Sequence, residues 1–118
     1  MKHVSGNLNC AHPLKSRWGC NYEGSTSNIA TEITDTNKHV LLPDYKTAPR
    51  DKYHRFIMRG YDGETADWVT FVDLITPKYV EKGTELHIWY SEDLRDVWEA
   101  GNQGRHCVDV YAKISDDF

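Results

Sequence analysis

No apolar run in this 118-residue chain approaches the roughly 20 residues that cross a bilayer. Basic excess is missing too: 14 Lys and Arg stand against 18 Asp and Glu, for a net charge of −4. Non-specific nucleic-acid binding needs a basic face, so that class is set aside. No glycine-rich loop is present to cradle a phosphate, which removes the nucleotide enzymes. A nucleophile elbow and an EF-hand pattern are likewise lacking. There is no Asn-x-Ser/Thr sequon, so glycosylation gives no hint of secretion. Met1-Lys2-His3-Val4-Ser5-Gly6 has no apolar signal region. A secreted protein would carry its signal segment ahead of this sequence. Helical periodicity is scarce, with one exception below.

The length fits one domain with one core. Hydrophobic residues make up only 39%, but aromatics reach 12%, and Trp and Tyr bury large areas each. Residues 1–24 read as an irregular arm punctuated by Pro13, Gly19 and Gly24, with Trp18 anchoring it on the core. From residue 25 to 118 the pattern is of short strands. Residues 25–34 and 39–42 form an expected hairpin around the Asp35-Thr36-Asn37-Lys38 turn. Further strands are expected at 53–59 and 67–74, the latter central because both sides are partly apolar, with a brief pairing at 79–80.

The clearest alternation lies near the C-terminus. Thr84, Leu86, Ile88 and Tyr90 alternate with Glu85, His87 and Trp89. Val108, Val110, Ala112 and Ile114 alternate with Cys107, Asp109, Tyr111 and Lys113. Period two marks half-buried strands. Between them, Ser91-Glu92-Asp93 resembles a helix start and Gly101 a helix stop, with Leu94, Val97 and Trp98 at helical spacing. Residues 92–100 are a short helix or an irregular loop. The pattern as a whole predicts an all-β, single antiparallel β-sandwich or jelly-roll-like domain.

The run Trp89-Tyr90-Ser91-Glu92-Asp93-Leu94, then Asn102, Gly104-Arg105 and Cys107-Val108-Asp109-Val110-Tyr111-Ala112, resembles a module of secreted cnidarian and mollusc proteins. Some of these are grouped as uncharacterised skeletal organic matrix proteins. Gly60-Tyr61-Asp62-Gly63 and Asp67-Trp68-Val69 are compatible with it. The resemblance covers about half the chain. It implies an extracellular, non-enzymatic module and carries over no catalytic residue.

Two loops hold the candidate chemistry. Asp62, Glu64 and Asp67 lie in or beside one turn; Glu92, Asp93 and Asp96 follow the Trp89 strand. Calcium takes six to eight oxygen ligands from flexible loops, so these acids are candidate calcium ligands. Their other reading is a solvated acidic rim. Trp89 falls on the polar face of its strand with Glu85 and His87, and Trp98, Tyr61 and Asn102 are further candidate contributors. An exposed aromatic beside polar groups is how a sugar ring is held: stacking for its apolar face, hydrogen bonds for its hydroxyls. Against this, Trp89 can simply pack beneath the 91–106 loop or against a second sheet.

Cys10, His12, Cys20, His106 and Cys107 are residue types that zinc takes, but Cys10 and His12 are too close in sequence and His106 and Cys107 point to opposite strand faces. A disulfide from Cys107 to Cys10 or Cys20 is the better reading of three cysteines. The paired acids Asp93 and Asp96 could serve a glycosidase, but the chain is short and has no obvious cleft.

The functional expectation is an extracellular binding module for carbohydrate or glycoconjugate, lectin-like and calcium-assisted. The first alternative is a structural matrix protein whose acidic surface meets calcium, mineral or other matrix proteins. A small hydrolase is the minor alternative.

Overall fold

A computed structural model describes residues 1–9, 15–20, 27–71, 78–95 and 103–113. Its strands are β1 (Lys2–Asn9), β2 (Lys15–Ser16), β3 (Asn28–Ile29), β4 (Thr31–Thr34), β5 (Val40–Leu42), β6 (Phe56–Ile57), β7 (His87–Tyr90) and β8 (Gln103–Asp109). One helical turn, α1 (Ser91–Leu94), follows β7 directly. The strands form three small antiparallel sheets, ordered β2-β1-β8, β3-β6 and β5-β4-β7, and not a closed barrel.

The 39–42 hairpin partner forms as its turn chemistry predicts. Asp35 accepts the Asn37 and His39 N–H groups at 2.8 and 2.9 Å, and Lys38 takes a left-handed φ of 65°. That closes the chain so that Ile33 faces Leu42 and Thr34 faces Val40.

The arm behaves differently from the sequence reading. Residues 2–9, expected to be irregular, make the longest strand among the described residues, and β1 pairs with β8 along its whole length. Lys-His-Val-Ser-Gly-Asn-Leu-Asn has no period because its strand contains a bulge between His3 and Ser5 and a glycine at φ 76°. Gly6 abuts the Arg105 carbonyl so closely that a Cβ would collide with it. Gly104, at φ 90°, approaches the Asn7 carbonyl in the same way.

Other expectations shrink or shift. The strand predicted at 53–59 is reduced to Phe56–Ile57. At 67–71 there is only an isolated bridge, Trp68 to Lys2, and residues 72–74 lie outside the described part. The final strand begins at Gln103 and ends at Asp109, earlier than its alternation suggested. The 92–100 helix is a single turn at 91–94, and residues 96–100 are not described. Cys107 is an exposed free thiol, which corrects the expected disulfide from it. Cys20 is buried and disulfide-bonded, with its partner outside the described residues.

Trp18 does anchor its segment. It is fully buried, its indole N–H donates to the Ala66 carbonyl at 2.7 Å, and it packs with Met1, Ile29, Ile33, Ala48, Phe56 and Val69. Val108, Tyr61 and Phe71 lean on this core from outside. No helix among the described residues is long and apolar enough to cross a membrane.

Candidate functional site

The predicted aromatic site centres on β7, and β7 pairs with β4 so that Trp89 faces Glu32 and His87 faces Thr34. Cross-strand partners point to the same side of a sheet. Glu32 and Thr34 are fully buried, and Trp89 itself is half-buried. Its indole N–H is buried without a partner among the described residues, and the Lys38 ammonium sits 5.3 Å from the centre of its ring. The residues read as core-facing, Leu86 and Ile88, are 44% and 42% exposed instead. His87 is tied to Glu85 at 2.7 Å, and Tyr61 packs against the hydrophobic core. Trp98 and Asn102 lie outside the described residues.

Glu32 is the centre of a buried network beside Trp89. Its carboxylate accepts from Arg50 at 2.7 and 3.1 Å and from Arg95 at 2.6 Å. Arg50 also donates to the Ala48 and Pro43 carbonyls, and its guanidinium lies between the Tyr45 and Phe56 rings, 4.5 and 4.6 Å from their centres. Arg95 reaches the Tyr45 hydroxyl at 2.6 Å. Burial alone would push Glu32 up; hydrogen bonds from Arg95, Arg50 and Ser91 outweigh it and hold the carboxyl below its ordinary value. This buried network ties three chain regions together.

The acids expected to hold calcium are spread over two places. Asp62 accepts the Glu64 N–H at 2.8 Å, shaping its own turn, and Asp67 pairs with Arg17 at 2.7 Å. Glu92 is buried in α1, where desolvation pushes its carboxyl up against the pull of Tyr90 and Arg55. Asp93 beside it is exposed, and Asp96 is outside the described residues. Among the described residues, no three His, Cys, Asp or Glu side chains converge as a metal site would require.

A different surface gathers the features of a binding face. Lys2 pairs with Asp109 on one side and bridges to Trp68 on the other. The three side chains therefore lie in a row on one face of the sheet. Tyr111, two residues beyond the end of β8, brings its ring against that of Trp68. Trp68 is 46% exposed and Tyr111 64% exposed. Their ring centres stand 5.5 Å apart, tilted by 38°, and the Lys2 ammonium is 5.5 Å from the Trp68 centre. Asp67 and Asp109 place carboxylates beside the rings in sequence.

The inner face of the same strands carries His3 and His106, whose Nδ1 and Nε2 atoms are 2.9 Å apart. Their rings stack at 5.0 Å, and Trp18 meets His106 edge-on at 4.7 Å. Burial, with His3 and Arg17 as cationic neighbours, pushes His106 down to about 4.

Sequence reasoning missed Trp68 by assigning it to a central strand. The signal for Tyr111 was present: it alternates with Asp109 and Cys107 on the polar side of its run. No protein-family model, curated protein or solved structure matches this chain.

Proposed function

We propose that this chain is an extracellular, non-enzymatic, sandwich-like module that binds carbohydrate or glycoconjugate on the Trp68–Tyr111 face. The carrying observation is that two large aromatic rings stand side by side and solvent-exposed, flanked by Lys2 and Asp109. Apolar rings of this size are normally covered. A pyranose ring offers them C–H bonds for stacking and offers the ammonium and carboxylates hydroxyls for hydrogen bonding. The disulfide at Cys20 supports an oxidising compartment.

A glycan array followed by calorimetry tests the reading. Trp68→Ala and Tyr111→Ala are each expected to weaken the glycan found by about tenfold, roughly 1.4 kcal/mol, with melting temperature unchanged. Retained affinity in both variants, or an array without a ligand, would overturn it.

A second reading, a matrix protein that self-associates, is favoured by β7. It is the edge of its sheet among the described strands, and it exposes Ile88 beside Leu86. Concentration-dependent sedimentation with no glycan affinity would support it over the first.

A further inference from the structure

β1 holds the two rings of the aromatic face in register. On one side it bridges to Trp68 through Lys2, and the His3 N–H donates to the Asp67 carbonyl at 2.8 Å. On the other it pairs with β8, whose continuation carries Tyr111. At the bulge, where His3 faces Val108 and Ser5 faces Cys107, the ladder loses its regular register. The His3–His106 bond spans that weak point from the inner face.

A bond between two ring nitrogens needs one hydrogen and one lone pair. One imidazole may be protonated and still donate to the other. When both are protonated, two N–H groups oppose each other and two like charges share a half-buried site. The charges around them do not relieve this. Arg17, from the segment after β2, acts on His106 as a further cation. Asp67 is neutralised by Arg17 at 2.7 Å, and Asp62 is engaged in its own turn with Glu64 beside it. Lys2, Arg105 and Asp109 are exposed on the strands themselves.

We propose that the His3–His106 pair is an acid-operated release for the Trp68–Tyr111 face: double protonation parts β1 from β8 at the bulge and lets the bound sugar go. This rests on the carbohydrate reading above. Because His106 is held down to about 4, a neutral exterior leaves the pair closed and only a distinctly acidic medium opens it.

The test has two arms, each on the full chain. Proton–nitrogen NMR follows the cross-strand contacts between Ser5 and Cys107 and between Gly6 and His106 from about pH 7 down to about pH 3.5. They are expected to disappear while the Glu32–Trp89 contacts of the β4–β7 pair persist, and to survive acidification in His106→Gln or, if that variant does not fold, His3→Gln. Persistence in the wild type, or simultaneous loss of both sheets, overturns the switch. In the second arm chitohexaose, cellohexaose and mannohexaose are titrated at both pH values. An affinity loss of about tenfold or more in the wild type, and under about twofold in His106→Gln, supports release. Equal losses in both overturn it. Absence of binding by all three at neutral pH counts against the carbohydrate reading alone, and the NMR arm still decides whether the pair opens.

Discussion

Glu32 shows how much one residue can organise in a small chain. It sits at the middle of the central strand β4, fully buried, and accepts from guanidinium groups sixty-three and eighteen residues away. Removing one partner from a buried charged set leaves the others desolvated and unpaired, which costs about 3–5 kcal/mol. Glu32→Gln is therefore expected to lower unfolding free energy by about that amount, read from urea denaturation with an unchanged slope. A loss under about 1 kcal/mol would mean that Arg50 and Arg95 find other acceptors.

His106 makes a second case at this scale. Its folded value of about 4 lies below the ordinary histidine value near 6.5. Between these limits the unfolded chain binds more protons, so stability rises with pH there and is lost as pH falls from about 6.5 to about 4. A full shift of this size would be worth about 3 kcal/mol; discounted for a half-exposed ring, about 1–2 kcal/mol is expected. Glu32 and Asp51, both held below their ordinary values, extend the loss at lower pH, and Glu92, pushed up by burial, opposes it. The profile is measured by urea midpoints across this range. His106→Gln should flatten the upper part of the curve.

At the scale of elements, the readable features were those with local causes. Asp35, Asp44, Asp51 and Asp62 each accept the N–H two residues ahead, at 2.7–2.9 Å, so each aspartate makes its own turn. The 35–38 turn was legible for that reason, and the β4–β5 hairpin followed from it. Asp62 has the same signature, and because a turn-forming carboxylate keeps its second oxygen, composition alone does not separate a turn role from a metal role. The β1–β8 pairing was not legible. Its paired residues lie between 94 and 107 positions apart in sequence, and the strands approach through glycines rather than through alternating apolar residues. For the same reason the aromatic face was hidden: it is assembled from residues 2, 68, 109 and 111, which no local window brings together. Gly6→Ala tests this pairing. The added methyl meets the Arg105 carbonyl in a backbone conformation with φ 76°, so nothing flexible can yield. A loss of about 1–3 kcal/mol is expected, with chemical-shift changes confined to β1 and β8. A neutral result would show that the two strands do not pair this closely.

For the whole molecule the open question is what its excess of acid does. The net charge of −4 invites a cation, yet much of the acid is already engaged. Four aspartates shape turns, Asp67 holds Arg17, and Glu32 holds two arginines. A specific calcium site at a hundredfold excess over its Kd would add about 2.7 kcal/mol to stability. For a domain of this size that corresponds to a melting shift on the order of 10 °C. Because Asp62 and Asp67 would first have to give up their present partners, millimolar calcium is expected to raise the melting temperature by less than about 2 °C over EDTA under non-reducing conditions. The remaining acids then serve as a solvated rim around the aromatic face. A shift near 10 °C would instead establish a defined site. It would make the sugar face calcium-assisted, and removing Glu64 or Asp93 should then abolish the shift while leaving the melting temperature in EDTA unchanged.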